Sequence, residues 1–429
     1  MDIQAVAASA KRKAYMNILL PYFLVGIIAH IDRVNLGYAA LAMNKDLGFT
    51  AQMFGMGAGI FFAGYVLFEI PGSLIAERYS MKLWIARIMV TWGIVSALMA
   101  FVTTAWEFYT VRFLLGVAEA SLFPIAYGFG IARWFVHKDR ARALAMLISC
   151  QVIAGILAGP LAGWLLGVSF MGLKGWQTMF VLEAVPAIVC AFIVPFWMAD
   201  RPKDAKWLNE DEREYLTKQY EAEAALQQVK KRHTVWSAMT DREVLKLCLT
   251  YFLWITGYWG FNYWMPTVLK EVSGWSNMAV GWLSAVPMVG ALIGMLYVGH
   301  SSSKTGERRW HGAVPLFIGA VGFCASVFVK TPWLSFCFVV IAAIGVYSPL
   351  GVWWSYPTSF LSGPAAAAAA SLINSTGNSG GFVGPYITGF LKDYTGTFVS
   401  AWVYLAVSLT LAGFLILTFK RQPSDDIDK

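Results

Sequence analysis

Residues 19–40 read LLPYFLVGIIAHIDRVNLGYAA, and this stretch decides the fold class. Its first ten residues carry no charge, which is typical of a helix inside a lipid bilayer, yet Asp32 and Arg33 follow in the same run. The whole chain has this character: 58% of its 429 residues are hydrophobic, 14% are charged, and the mean hydropathy is +0.58. Soluble domains have about 25% charged residues, so the composition indicates an integral membrane protein.

Apolar runs long enough to cross a bilayer recur along the chain. A span needs about 20 mostly apolar residues, and about twelve stretches qualify. Their approximate limits are 14–38, 52–76, 82–103, 107–131, 142–167, 175–198, 245–267, 279–300, 313–330, 334–356, 367–391 and 398–419. We therefore predict an all-α membrane protein with a six-helix domain at 1–198, a central loop at 199–243 and a second six-helix domain at 244–429.

The central loop is charged but balanced, with nine Lys or Arg against ten Asp or Glu between residues 200 and 243. Asn209 and the acidic residues after it predict a helix start, and Lys230, Lys231 and Arg232 suit the other end. A solvated surface helix and a partner-binding helix are both open. The net charge of +8 does not indicate a nucleic-acid partner, because the excess lies in short loops and at the termini.

The distribution of Lys and Arg predicts the orientation in the membrane. Alternate connections are basic, at Lys11/Arg12/Lys13, Arg78/Lys82, Lys138/Arg140/Arg142, Lys304/Arg308/Arg309 and Lys420/Arg421. The opposite connections carry single cations at most, so the positive-inside rule makes both termini and the central loop cytoplasmic. The first span is long and holds a charged pair, so we interpret it as a retained helix and not a signal peptide. We expect a monomeric protein of the cell inner membrane.

No enzyme or metal chemistry is indicated by the sequence. The five cysteines lie in apolar runs without paired spacing, and no Cys/His set has the spacing of a zinc site. No H-E-x-x-H motif occurs, and no segment is long enough to be the output domain of a sensor. We therefore expect no metal, no cofactor and no catalytic residue.

Four ionisable residues stand out inside the predicted spans, where each costs about 2.5 to 3.5 kcal/mol to insert. At about 1.5 Å per residue, Asp32, Arg33, Arg112 and Glu119 can share one polar layer. Arg112 and Glu119 are two helical turns apart and lie on nearly one face, which we expect to face a cavity. The alternative for Asp32 and Arg33 is a self-neutralising structural pair. Glu69 and Glu183 are interpreted as packing residues at helix ends.

Neutral polar residues fall at similar depths in the spans. Tyr65, Gln151 and Asn35 are candidates for substrate contacts in the first half. In the second half, GYWGFNYWMP offers Tyr258, Asn262 and Tyr263, and SLINSTGNSGG offers Asn374, Ser375 and Asn378. Hydrogen bonding between helices is the alternative role for each of them.

Several of these stretches resemble a known family. IDRVNLGYAA, GYVLFEIPGSLIAER, RFLLGVAEASLFP, DRPKDAKWL and SLINSTGNSGGFVGPYITG are similar to motifs of the anion:cation symporter family of the major facilitator superfamily. The resemblance implies two six-helix bundles that rock around a central site. It also implies that Asp32 and Glu119 carry protons, that Arg33 and Arg112 bind and couple the substrate, and that Tyr65 and Gln151 contact it.

The resemblance also locates a gating loop. Glu77 and Arg78 keep the charges of the superfamily's loop motif, although Ser73 stands where the motif has Gly. The second copy departs further, with Ser303 at the acidic position.

Charge balance suggests a transport mechanism. Two acids and two arginines are neutral together, so a bound carboxylate adds negative charge that a proton on Glu119 or Asp32 would cancel. Glu119 is the better proton carrier, because Asp32 lies beside Arg33. We predict proton symport of a small organic anion, such as tartrate, a sugar acid or an aromatic acid like phthalate. A proton-driven efflux antiporter, and a membrane sensor without transport, are the alternatives.

Overall fold

The computed structural model describes residues 3–229, 240–356 and 363–419, apart from the side chains at 128–129, 137–138, 141, 223–229 and 363–368. The predicted basic end of the central helix, Lys230 to Arg232, and the basic tail at Lys420 and Arg421 lie outside the described residues. Within this part of the chain the secondary structure is helical, with one isolated β-bridge between Phe170 and Leu173.

The helices follow one another with short connections. In chain order they are α1 (Ile3–Leu47), α2 (Ala51–Arg78), α3 (Met81–Phe101), α4 (Ala105–Glu119), α5 (Leu122–Ile125, continued by turns to Trp134), α6 (His137–Leu165), α7 (Gly175–Trp197), α8 (Glu210–Val229), α9 (Arg242–Ser273), α10 (Asn277–Thr305), α11 (Arg309–Phe328), α12 (Pro332–Tyr347), α13 (Gly363–Thr395) and α14 (Val399–Leu417). Ten candidate spans are long and apolar enough to cross a membrane. α9 and α13 add two helices of 32 and 33 residues, so the predicted twelve-helix fold is confirmed.

Local signals in the sequence fix many helix ends. Gly48 takes a left-handed conformation with φ 68° and ends α1, and the Thr50 hydroxyl then accepts a hydrogen bond from the Met53 amide to begin α2. Thr104 and Glu107 form a capping box at the start of α4. The caps satisfy amides at the start of a helix and carbonyls at its end that would otherwise lack partners, so the helices can end next to the membrane surface.

Two predicted spans differ from the structure. The first helix begins at Ile3 rather than near residue 14, and one π-helical turn at Tyr15–Leu19 interrupts it. The fourth span breaks after Glu119, where Ser121 has a positive φ of 74°. The reason is Pro124: it has no N–H for the carbonyl of Ala120 four residues earlier, and its ring would collide with that carbonyl in a continuous helix.

The helices form two bundles, with α1 to α7 in the first and α9 to α14 in the second. The pairs α1 with α9, α2 with α13, and α6 with α10 cross from one bundle to the other. We call the end that carries the connections at 47–51, 165–175, 273–277 and 395–399 the distal face, and the opposite end the termini face.

The bundles touch most closely in their distal halves. A Cβ atom on Gly159 would lie 2.5 Å from the carbonyl oxygen of Gly281, and one on Gly55 would lie 2.4 Å from that of Pro385. Only residues without a side chain allow this approach of two backbones. The distal face is therefore closed in this structure.

The central segment lies against the first bundle on the termini face. The Glu212 carboxylate of α8 accepts hydrogen bonds from Lys13 Nζ and Ser9 Oγ, both at 2.7 Å. Trp207, just before α8, stacks on Trp134 with ring centroids 5.1 Å apart. These contacts hold the central segment against the first bundle.

Candidate functional site

A buried ion pair lies at the centre of the first bundle. Arg33 Nε is 2.6 Å from Glu119 Oε1, and the two residues are 7% and 0% exposed. Three aromatic rings surround the guanidinium, with Tyr65 at 4.9 Å and Phe61 and Phe123 both at 5.3 Å from its central carbon. The pair is thus enclosed by rings that face the cation.

Helix geometry brings these residues to one depth. Arg33 stands 14 residues before the end of α1 at Leu47, and Glu119 stands 14 residues after the start of α4 at Ala105. Tyr65 is also 14 residues from the start of α2 at Ala51. Because every helical residue rises about 1.5 Å, equal offsets from the distal face place the three side chains together.

Arg112 lies two turns closer to the distal face. Its Nε donates to the Gly57 carbonyl oxygen at 3.2 Å, and its Nη2 donates to the Tyr263 hydroxyl of the second bundle, also at 3.2 Å. Its guanidinium carbon is 4.9 Å from the centre of the Phe61 ring, which also contacts Arg33. Phe61 therefore stands against both arginines.

Asp32 lies at the depth of its neighbour Arg33 but does not form an ion pair with these groups. Its carboxylate accepts a hydrogen bond from Ser96 of α3, and among the described residues no basic side chain pairs with it. Neighbouring residues on a helix point about 100° apart, so Asp32 turns towards α3 while Arg33 turns towards α4. The structure thus gives one close ion pair and two separate charges instead of four charges in contact.

Two of the neutral candidates meet across the bundles. Tyr258 donates its hydroxyl to Gln151 Oε1 at 3.3 Å, and Gln151 Nε2 is 3.5 Å from the Tyr127 hydroxyl. Tyr258 also packs against Tyr347, with ring centroids 4.7 Å apart. This contact joins α6 to α9 near the middle of the molecule.

Other candidates bond away from the ion pair. Asn35 donates to Glu183 at 2.7 Å inside the first bundle. Asn262 Oδ1 accepts from the Tyr347 hydroxyl at 2.6 Å, and Asn262 Nδ2 donates to the Tyr258 carbonyl at 2.8 Å. Both polar atoms of this side chain are therefore used inside the second bundle.

Asn374 forms a cross-bundle contact that was not predicted. It donates a hydrogen bond to the Glu69 carboxylate, and Asn378 faces the same carboxylate. Glu69, interpreted from the sequence as a packing residue at a helix end, therefore bridges the two bundles.

His30 is a buried polar residue of the site that the sequence pattern did not single out, whereas Tyr263 was among its polar candidates. His30 is 1% exposed, its Nε2 has no hydrogen-bond partner, and its ring centroid is 5.9 Å from that of Trp259 in the second bundle. The signal that could have found His30 is its spacing, because residues three apart share a helix face and Arg33 follows by three.

The loop that the resemblance predicts to be a gate carries separate contacts on the termini face. Glu77 is 3.9 Å from Arg133 Nη2, and the Arg78 guanidinium lies 5.9 Å from the ring of Tyr79. Asp200 accepts hydrogen bonds from Ser80 Oγ at 2.7 Å and from the Lys82 amide at 3.0 Å. In the second copy, Ser303 donates to the Gly299 carbonyl at 2.8 Å, so it does not replace the acid.

Two helical bundles that enclose a buried polar site and meet across it define a membrane transporter. The chain belongs to the Major Facilitator Superfamily, whose family model matches residues 22–385. It is a multi-pass membrane protein, and the superfamily resemblance read from its motifs is confirmed.

Two similar proteins and one solved structure give more specific comparisons. The chain is 42% identical over 413 residues to a protein of Agrobacterium vitis named "Putative tartrate transporter", covering 96% of this chain and 94% of the relative. It is 35% identical to a protein of Acinetobacter baumannii named "Quinolone resistance transporter", covering 92% and 90%. Among solved structures, a partially occluded inward-open conformation of the E. coli xylose transporter XylE has a TM-score of 0.74 at 14% identity, covering 95% of this chain and 98% of that one.

Proposed function

We propose that this transporter takes up a small organic carboxylate together with protons, by alternating access between its two bundles. The observation that carries the proposal is the Arg33–Glu119 pair, in which Arg33 Nη2 and Glu119 Oε2 are both buried without a hydrogen-bond partner. An arginine with an unused N–H is prepared to bind a carboxylate oxygen. Glu119 then lies beside the bound carboxylate in a buried site.

Proton coupling follows from this exchange of partners. When a substrate carboxylate binds the Arg33 guanidinium, Glu119 loses part of its counter-charge and sits near a second negative charge. A proton on Glu119 removes that repulsion. Substrate and proton therefore stabilise each other in the site, which is the thermodynamic requirement for symport.

The two arginines favour a dicarboxylate. Arg33 and Arg112 contact the same Phe61 ring at 5.3 Å and 4.9 Å, which gives this part of the site one cation for each carboxylate of a diacid. We assign a hydroxy-dicarboxylate such as tartrate as the preferred class, supported by the name of the Agrobacterium vitis relative. Sugar acids and aromatic acids are the next classes to test.

Alternating access would use the contacts between the bundles. The Arg112–Tyr263 bond joins the bundles distal to the ion pair, so its release belongs to opening of the distal face. We infer that the segments 1–198 and 244–429 rock as units, with the segment 199–243 cytoplasmic and the protein in the inner membrane. The basic connections of the termini face support this orientation.

Reconstituted vesicles test the coupling. With a pH gradient imposed, the unmodified protein should accumulate radiolabelled tartrate, and collapsing the gradient should stop accumulation. Glu119→Gln should still exchange tartrate across the membrane but should not accumulate it, because the amide cannot carry a proton. Glu214→Gln, on the exposed side of α8, is the control and should behave as the unmodified protein. Accumulation that is insensitive to the gradient would refute proton symport.

A proton-driven efflux antiporter is the second candidate, favoured by the Acinetobacter baumannii relative. This function would move a zwitterionic or cationic drug outwards against inward proton flow. Cells that express the protein would then survive higher quinolone concentrations, and Arg33→Ala would leave that resistance unchanged. Symport predicts no protection.

A further inference from the structure

A buried acid outside the Arg33–Glu119 pair connects the two bundles. Glu69 of α2 is 4% exposed, and its carboxylate accepts a hydrogen bond from Asn374 of α13. Its second oxygen, Oε2, is buried and has no hydrogen-bond partner. Among the buried acids of the described residues, Glu69 is the one whose carboxylate is hydrogen-bonded to a side chain of the opposite bundle.

The surroundings of Glu69 are polar but nearly uncharged. α13 presents Asn374, Ser375 and Asn378 to it, α9 presents Tyr251, and α2 itself presents Tyr65. Arg33 of α1 acts on it from a distance, and within the described residues no basic side chain is close enough for an ion pair. A carboxylate held in this way lacks the counter-charge that normally makes burial tolerable.

The buried charges of the site do not cancel. Asp32, Glu69, Glu119 and Glu183 are each 6% exposed or less, whereas Arg33 and Arg112 are the Lys or Arg side chains of comparable exposure among the described residues. With the buried His30 neutral, four acids against two arginines leave an excess of two negative charges if all are ionised. Neutrality in a low-dielectric interior requires protons on some of these acids.

The position of Glu69 separates the ion pair from the termini face. Tyr65, one turn earlier on α2, contacts the Arg33 guanidinium at 4.9 Å. Glu69 is one turn closer to the termini face than Tyr65, and nine residues before the end of α2 at Arg78. The Glu69–Asn374 contact between the bundles therefore lies at a depth that an anion must cross between Arg33 and the termini face.

We propose that Glu69 is a second proton-binding carboxyl of the transport cycle, which takes up a proton with the anion and releases it on the termini side. The proposal rests on the proposed proton symport. While the bundles are joined, Asn374 donates to Glu69 and closes the path. When they part at the termini face, water reaches the carboxyl, the proton leaves, and the anion departs from a site that again holds a negative charge.

The test measures how many protons cross with each substrate molecule. In vesicles held at zero membrane potential with a fixed tartrate gradient, the pH gradient at which net flux reverses gives the proton-to-tartrate ratio. Glu69→Gln keeps an acceptor for Asn374 but cannot titrate, so the pH gradient at reversal should correspond to one proton fewer than in the unmodified protein, with tartrate exchange retained. Glu214→Gln removes an exposed acid of α8 outside the site, and its ratio should stay unchanged.

A second acid variant protects the test against misfolding. Glu69→Asp retains the carboxyl on a shorter side chain and should return the unmodified ratio; a ratio that stays low in this variant would show that Glu69 acts by packing. An unchanged ratio in Glu69→Gln overturns the proposal while symport stands. Gradient-independent transport by the unmodified protein would instead remove the proposed function itself.

Discussion

At the scale of single residues, the contacts in the site depend on the direction in which each side chain points as much as on its position along the helix. Asp32 and Arg33 are adjacent, yet Asp32 bonds to Ser96 on α3 and Arg33 pairs with Glu119 on α4. The about 100° rotation between successive helical residues separates them. The oppositely charged neighbours therefore do not neutralise each other directly, and Arg33 remains available to exchange its partner.

We expect Arg33→Ala to weaken tartrate binding by about ten- to a hundredfold, because a hydrogen bond to a charged group contributes about 1.5 to 3 kcal/mol. Isothermal titration on the purified protein measures this change. Arg33→Lys should recover only part of the affinity, since an ammonium lacks the flat pair of donors. An affinity for tartrate that Arg33→Ala leaves intact would make the residue structural.

The second prediction at this scale concerns Glu212 on the termini face. Burial disfavours its charge, but hydrogen bonds from Lys13 and Ser9 outweigh burial and hold the pKa of the carboxyl below its ordinary value of 4.5. A lowered folded-state pKa stabilises the fold above about pH 4.5, and the contribution disappears as the pH falls through the folded value.

Thermal unfolding in detergent tests this prediction. Near neutral pH, Glu212→Gln should unfold at a lower temperature than the unmodified protein. The difference should shrink as the pH falls below about 4.5, because both proteins then carry a neutral group. Glu214→Gln serves as control, since its Lys218 pair is exposed. A difference that is independent of pH would mean that packing, and not charge, holds α8.

At the scale of helices, one bundle supplies the cap for a helix of the other. Asp393 of α13 accepts hydrogen bonds from the amides of Ala51 at 3.1 Å and Gln52 at 2.7 Å, the first two residues of α2. A carboxylate at a helix N-terminus satisfies free amides and opposes the helix dipole. The cap exists only while the distal face is closed.

Asp393→Ala should therefore shift the protein towards a distal-open state. Loss of a cap costs about 0.5 to 2 kcal/mol, which corresponds to an about two- to thirtyfold change in population. The rate at which a maleimide modifies Ser284→Cys, buried beside Gly159 between the bundles, measures the change. Lys392→Ala is the matched control, because Lys392 pairs with Glu271 inside the second bundle. Equal labelling rates in both variants would contradict the prediction.

At the scale of the whole molecule, closure is asymmetric. Backbones touch between the bundles in the distal half, where Gly159 meets Gly281, whereas side-chain hydrogen bonds such as Glu69–Asn374 join them nearer the termini face. Side-chain hydrogen bonds cost less free energy to break than closely packed backbones cost to separate, because hydrogen bonds to water can replace the broken ones. We infer that the termini face opens first from this arrangement.

The orientation of the molecule gives the last prediction. In a background without the five native cysteines, Met171→Cys on the distal face should react with a membrane-impermeant maleimide in intact cells. Tyr79→Cys on the termini face should react only after permeabilisation, because basic connections stay on the cytoplasmic side. Both side chains are well exposed, at 86% and 76%, so access depends on orientation. The reverse labelling pattern would invert the topology.

The sequence by itself determined the all-α membrane fold, because the length of each apolar run is a local property set by the bilayer. It also marked Arg33, Arg112 and Glu119, since charges inside such runs are costly wherever the helices lie. Pro124 is a local signal for the break after Glu119. The apolar run continues across this proline, so hydropathy predicts one unbroken span there.

Only the tertiary structure decided which of these charges touch. Arg33 pairs with Glu119, Arg112 reaches Tyr263, Glu69 meets Asn374 and Asp32 turns to Ser96 because helices distant in sequence were brought together at particular rotations. Hydropathy is nearly insensitive to the rotation of a helix about its axis, whereas a hydrogen bond requires its two atoms within about 3 Å.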